Sequence, residues 1–180
     1  MKTSYLTKAF YQTAAQRFPE NSASLHAAFS ARLNVLRREN ADASKEKLRH
    51  LESQILPGIA IYETLQTVMD KENALQTVHG YVEQHAHSTK RAFLLLMHIP
   101  GLYRKVPGIF GKQAPKLFGT AAGFAAREIL VSDTVWRIDM TKCPYRDTCA
   151  KYGCPELCRC FCDSDDITYD GLHPKLYWHR

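Results

Sequence analysis

Val135-Trp136-Arg137-Ile138-Asp139-Met140 decides the fold class. Trp136, Ile138 and Met140 alternate with Val135, Arg137 and Asp139, the period of a strand with one buried face. Everything upstream of Glu128 repeats with a helical period instead. Leu6, Ala9, Phe10, Thr13, Ala14 and Phe18 form one stripe, which Pro19 ends. Leu25, Ala28, Phe29, Leu33 and Leu36 form a second. The charged stretch from Arg37 to Lys47 is either a linker or the exposed start of the next helix.

Ile55-Leu56-Pro57-Gly58-Ile59-Ala60-Ile61-Tyr62 lies inside a long apolar run from Leu48 to Met69. Proline lacks the amide hydrogen and crowds the preceding turn, so Pro57 predicts a kink or short break. Asp70 is placed to cap a helix whose apolar face is Ala74, Leu75, Val78, Tyr81 and Val82, with another helical run from Thr89 to Met97. Prolines and glycines from Pro100 to Gly119 predict short helical turns separated by breaks.

Downstream of the strand, Pro144 predicts a short helix and Pro155 opens another. Leu176 to His179 reads as a short strand. The expected fold is therefore α+β: a helical body over residues 1–128 and a Cys-rich strand and helix lobe over 129–180, packed as one unit.

Composition narrows the function. The chain has 180 residues and a formal net charge of +6. From Cys143 onward there are five Lys and Arg against six Asp and Glu, so the excess lies upstream. It could favour anionic ligands by long-range attraction; a basic membrane- or nucleic-acid-associated protein is the weaker reading, and no nucleic-acid partner is expected. The longest apolar run, Ala92 to Met97, is too short to span a bilayer, so no integral membrane segment is expected. No apolar stretch follows Met1-Lys2-Thr3, which predicts a cytoplasmic protein without a signal peptide. Reduced thiols in that compartment point to catalysis, metal binding or redox chemistry rather than disulfides.

All six cysteines fall in one window: Cys143, Cys149, Cys154, Cys158, Cys160 and Cys162. Three readings compete. The thiols could pack a thin lobe. They could hold a divalent metal through Cys143, Cys154, Cys158 and Cys162, although no C-x-x-C pair is present. Or a thiolate or carboxylate could act on substrate, which requires a thiol pKa lowered by its surroundings. A helix after Pro155 would put Cys158 and Cys162 on one face and Glu156 in its first turn. The acidic run Asp163, Asp165 and Asp166 does not meet calcium-loop spacing. His98, before a Pro-Gly break, could face a pocket. His85 and His87, two apart, cannot share a helix face.

Cys143-Pro144-Tyr145, Gly153-Cys154-Pro155-Glu156-Leu157-Cys158, Phe161-Cys162-Asp163 with Asp165-Asp166, and His173-Pro174-Lys175-Leu176 stand in a fairly specific order. With Leu56 to Tyr62 and Phe124 to Glu128 upstream, the chain resembles the L-2-amino-thiazoline-4-carboxylic acid hydrolases over roughly residues 50 to 180. The resemblance implies hydrolysis of the ring carbon of a small cyclic amidine-like carboxylate, on a bacterial route to cysteine. It singles out Cys143 or Cys162 as nucleophile and Glu156 or Asp165 as acid/base, leaving Cys149 and Cys160 as bystanders. Arg146, Arg137 and His173 are the candidates for holding the substrate, with Arg127 a further cation for its carboxylate. A non-catalytic ligand- or metal-binding, redox-sensing module is the alternative. Family sequences usually continue past the position of Arg180 with a further strand. The open sheet edge left here predicts association with a second copy.

Overall fold

The computed structural model describes residues 3–180, apart from the side chains of 128, 129 and 131, so the Glu128 side chain lies outside the described residues. Helix α1 (Tyr5–Arg17) starts where the Ser4 hydroxyl accepts the Thr7 amide, and it buries Leu6, Phe10 and Ala14. Helix α2 (Ser22–Arg38) buries Leu25, Phe29, Leu33 and Leu36. Both stripes follow the spacing of the sequence.

The charged stretch after α2 resolves into a turn and α3 (Lys45–His50), capped by Ser44. That helix runs through a π-helical turn, Leu51–Ile55, into α4 (Leu56–Leu65). The irregularity expected at Pro57 is this widened turn, closed by the Leu56 amide on the Leu51 carbonyl. It makes room for a ring that cannot donate and that would crowd a tighter turn. Helix α4 is the centre of the molecule, with nine of its residues buried, including Ile59, Ile61 and Tyr62.

Helix α5 (Lys71–Met97) is capped by Asp70, whose carboxylate accepts the Asn73 amide at 2.8 Å. The two helical runs expected here form one continuous helix. No proline interrupts them, and Gly80 alone costs only about 1 kcal/mol. Helix α6 (Leu102–Leu117) corrects the expectation of broken turns: Pro107 and Pro115 both lie inside it. Each removes one bond of the ladder, and two full turns between them stay intact.

A 3₁₀ turn, Thr120–Ala122, leads to the hairpin of β1 (Ala125–Val131) and β2 (Trp136–Lys142), which pair antiparallel with irregular register after Ala125 and Glu128. The predicted alternation holds at Trp136 and Ile138, which are half-buried, but Met140 is exposed. Trp136 packs on Phe110 rather than in the core, and among the described residues its indole N–H meets no acceptor.

Helices α7 (Pro144–Lys151) and α8 (Leu157–Tyr169) follow. The expected strand at Leu176–His179 is absent. The residues that follow α8 make a single bridge, His173 to Leu176, because no neighbouring strand offers them a ladder. Trp178 instead donates its indole N–H to Asp166 at 2.8 Å and packs on Tyr169.

The Cys-rich helices share the core of the helical body. Cys149, Cys154, Leu157, Cys160 and Phe161 are buried in one cluster with Leu6, Phe10, Ile59, Tyr62 and Val78. The closest approach is at Gly58, where a Cβ would stand 2.7 Å from the Phe161 ring. Only glycine lets α4 and α8 meet there. Among the described residues no helix is long and apolar enough to cross a membrane.

Candidate active site

Sequence order alternates cysteines between two environments. Cys143 precedes α7, Cys149 lies within it, Cys154 stands in the turn that follows, and Cys158, Cys160 and Cys162 lie on α8. Positions 158 and 162 are one turn apart and share a face, while 160 points the other way. Cys149, Cys154 and Cys160 are accordingly buried, and Cys143, Cys158 and Cys162 are half-buried.

The half-buried three converge. Two sulfurs are made easier to ionise. Cys154 is lowered by its Cys149 neighbour inside the core. Cys162 is lowered to about 7: interaction with the Cys158 thiol one turn earlier outweighs burial, and Arg180 adds its charge. Cys158, its partner in that interaction, is pushed up. Cys143 stands at the N-terminus of α7. Burial raises its pKa, the amides of Tyr145 and Arg146 pull it part of the way back, and the neighbouring Cys162 raises it again. Of the two predicted nucleophiles, Cys162 is the one whose surroundings favour the thiolate, and Cys143 the one whose surroundings disfavour it.

Asp165 lies beside them. The residue as a whole is exposed on α8, and only the protein packed around its carboxyl withdraws that group from water. That partial desolvation, with Asp166 adding and Arg180 opposing, pushes its pKa up to about 6. Burial between His50, Phe124 and Phe161 raises the Tyr145 phenol, and the charges of Asp165, Cys143 and Cys162 add to it. This cluster thus combines a thiol whose surroundings favour ionisation, a carboxyl whose surroundings disfavour it, and a phenol held neutral by burial.

The segment after α8 closes one side. Gly171 takes a left-handed conformation, φ 68°, and turns the chain back along the helix. Arg180 then binds Asp166 at 2.6 Å and Asp163 at 3.5 Å and donates to the Cys162 carbonyl. Asp163 also meets Arg159 and the His79 ring of α5.

The structure brings together Cys143, Cys162 and Asp165 of the predicted set, with Arg146 close enough to act on Cys158. Arg146 is exposed and held only loosely by Asp147, at 3.3 Å. Glu156 is elsewhere. It accepts the Tyr62 hydroxyl at 2.6 Å and pairs with Lys71 at 2.9 Å. Burial pushes its carboxyl up, but these two bonds outweigh that and leave it below its ordinary range. His173 stacks on Tyr103 and accepts the Lys175 amide. Arg137 is exposed on β2, and Arg127 pairs across the hairpin with Asp139. His98 turns back to the Leu94 carbonyl, and His85 stacks on Tyr5.

The four-thiol metal set is divided. Cys154 directs its thiol to the Cys149 carbonyl at 3.5 Å inside the core, and among the described residues no three His, Cys, Asp or Glu side chains are arranged to hold a metal ion. Two surface grooves lie on the helical body, one including Arg17, Gln76 and Tyr81, the other Tyr11, Ser30 and the Arg37–Glu52 pair. Neither contains a thiol or an unpaired carboxylate.

Two residues of the cluster were not among the sequence candidates. Tyr145 stood inside the Cys-Pro-Tyr piece but carries no reactive signature by itself. Arg180 is 14 residues from Asp166, and no local pattern announces that contact.

A family model described as L-2-amino-thiazoline-4-carboxylic acid hydrolase matches residues 48–180. The chain belongs to this family. The matched region includes α4, both strands and all six cysteines, so the family's shared segment and the cluster coincide. The resemblance seen in the cysteine, proline and aspartate pieces is thereby a membership. No curated protein and no solved structure matches the chain.

Proposed function

We propose that this protein is a thiol-dependent hydrolase that opens the ring of a 2-aminothiazoline carboxylate, with Cys162 as nucleophile and Asp165 as general acid and base. The observation that carries the reading is the placement of Cys162 and Asp165 three residues apart on α8, within the segment shared by the family, with their surroundings shifting the thiol down and the carboxyl up.

The reactive carbon of such a ring lies between nitrogen and sulfur and is electrophilic. The Cys162 thiolate adds to it, and the ring carbon–sulfur bond breaks. The departing sulfur takes the Asp165 proton and becomes the free thiol of the opened product. Water then attacks the same carbon, Asp165 takes a proton from it, and the Cys162 thiolate leaves. The net change is one water added, yielding a carbamoyl-cysteine. Arg146, exposed beside the thiols, is placed to hold the substrate carboxylate. The Tyr145 phenol, kept neutral by burial, supplies a hydrogen bond to the nitrogen side of the ring. Cys158 acts through Cys162 and is a positioning residue.

Purified protein incubated with L-2-amino-thiazoline-4-carboxylic acid is expected to release one free thiol per turnover, with carbamoyl-cysteine identified by mass. The absence of turnover above the buffer rate, in protein whose Cys162 is shown to be reduced, overturns the reading.

A further inference from the structure

Seven of the 24 Lys and Arg, and none of the 18 Asp and Glu, lie in residues 84–127. The rest of the chain is close to neutral, so this one segment carries the whole positive excess. It comprises the second half of α5, all of α6 and the start of the hairpin. It is also sparsely buried. Beyond Ala86 no residue of α5 is buried, and of α6 only Ala114 is.

Its exposed residues are of two kinds. At the turn joining the helices, Leu95, Leu96 and Ile99 are 73%, 47% and 53% exposed, a contiguous apolar knuckle presented to solvent. On α6, Lys105, Ile109, Lys112 and Lys116 recur at spacings of four, three and four, which places them along one outward stripe. Neither kind enters the cluster described above.

We infer that residues 90–116 dock on an anionic lipid surface, with Leu95, Leu96 and Ile99 entering the headgroup region and the lysines of α6 lying over the phosphates. Charge complementarity selects this occupant. A segment with seven cations and no carboxylate of its own is attracted to negative lipid, and lysine stems can lie along the interface with their ammonium groups toward the headgroups. The aliphatic knuckle favours lipid over nucleic acid, which offers little apolar surface to receive it. The docking is peripheral, because no described helix can span the bilayer.

The full chain should co-sediment with phosphatidylcholine vesicles containing phosphatidylserine and not with phosphatidylcholine alone. Raising salt several-fold should weaken binding at least about tenfold, since exposed charges are screened within a Debye length. Leu95→Glu with Ile99→Glu, and separately Lys105→Gln with Lys112→Gln and Lys116→Gln, should each reduce binding by about tenfold or more. All five side chains are exposed, and circular dichroism checks that the fold is kept. Absence of vesicle binding at low salt overturns the inference. So does equal binding to neutral vesicles, preferential binding to single-stranded DNA, or a dimer that the Leu95/Ile99 variant dissociates while vesicles remain unbound.

Discussion

Two groups of cysteines come from the same twenty residues and end in opposite chemical conditions. Cys149 and Cys154 lie in the core, where the Cys154 amide and thiol both turn to the Cys149 carbonyl. They serve as small apolar filling with their hydrogen bonds met locally. Cys158 and Cys162 lie one helical turn apart and half-buried, where the neighbouring thiol and Arg180 favour a thiolate at Cys162. Residue type therefore says little about reactivity. The number of donors and cations around each sulfur says nearly all of it.

The strongest way to break this comparison is to exchange roles by mutation. Cys162→Ser should lower kcat at least about a thousandfold, because a serine hydroxyl is not ionised near neutral pH. Cys149→Ser should leave kcat within about twofold while lowering stability by about 1–3 kcal/mol, the cost of burying a hydroxyl among apolar neighbours. Steady-state kinetics and denaturant unfolding of both variants separate the two roles. The reverse pattern would invert the assignment.

Asp165→Asn comes next, with an expected fall of about a hundredfold in kcat/KM. In the unmodified protein kcat/KM should peak between about pH 6 and 7, where the Asp165–Cys162 pair holds one proton. The variant should lose the bell and keep a single rise through the Cys162 titration. Stability carries a second signature. Asp165 keeps its proton to about 6 in the fold against an ordinary 3.8, so its stabilising contribution is complete below 3.8 and lost as pH rises through 6. Asp165→Asn should therefore raise the unfolding free energy above pH 6 and leave it unchanged at pH 3.5, measured by denaturant titration at each pH.

Gly58→Ala tests the core side of the comparison. The added methyl meets the Phe161 ring at 2.7 Å, and overpacking of this kind costs about 1–3 kcal/mol. Because Phe161 neighbours Cys162 on α8, the variant should lower the unfolding midpoint first and activity only through any movement of that helix. The smallest expected effect is electrostatic. Iodoacetamide should label Cys162 ahead of the three buried thiols, with a rate that climbs through about pH 7. Arg180→Gln should move that midpoint upward by less than about one unit, since Arg180 is a secondary influence on a partly solvated site.

Much of the fold was legible. The stripes of α1 and α2, the Asp70 cap, the irregularity at Pro57 and the Trp136 strand are local patterns that local physics obeys. The failures have a common cause. Pro107 and Pro115 suggested breaks, yet the ladder between them held, and Leu176–His179 looked like a strand but had no neighbour to pair with. Of the predicted site, Cys143, Cys162 and Asp165 converge, and they sit on or beside helices whose starts were marked by proline. Glu156 was misplaced because its partners, Tyr62 and Lys71, lie more than eighty residues away.

By itself the sequence determined the helical periods, the strand, the family and the face shared by Cys158 and Cys162, because each depends on residues within a few turns of one another. Only the tertiary structure decided which thiols and which carboxyls have their ionisation shifted, and in which direction. Those properties depend on desolvation and on charges such as Arg180 that chain folding brings from a distance.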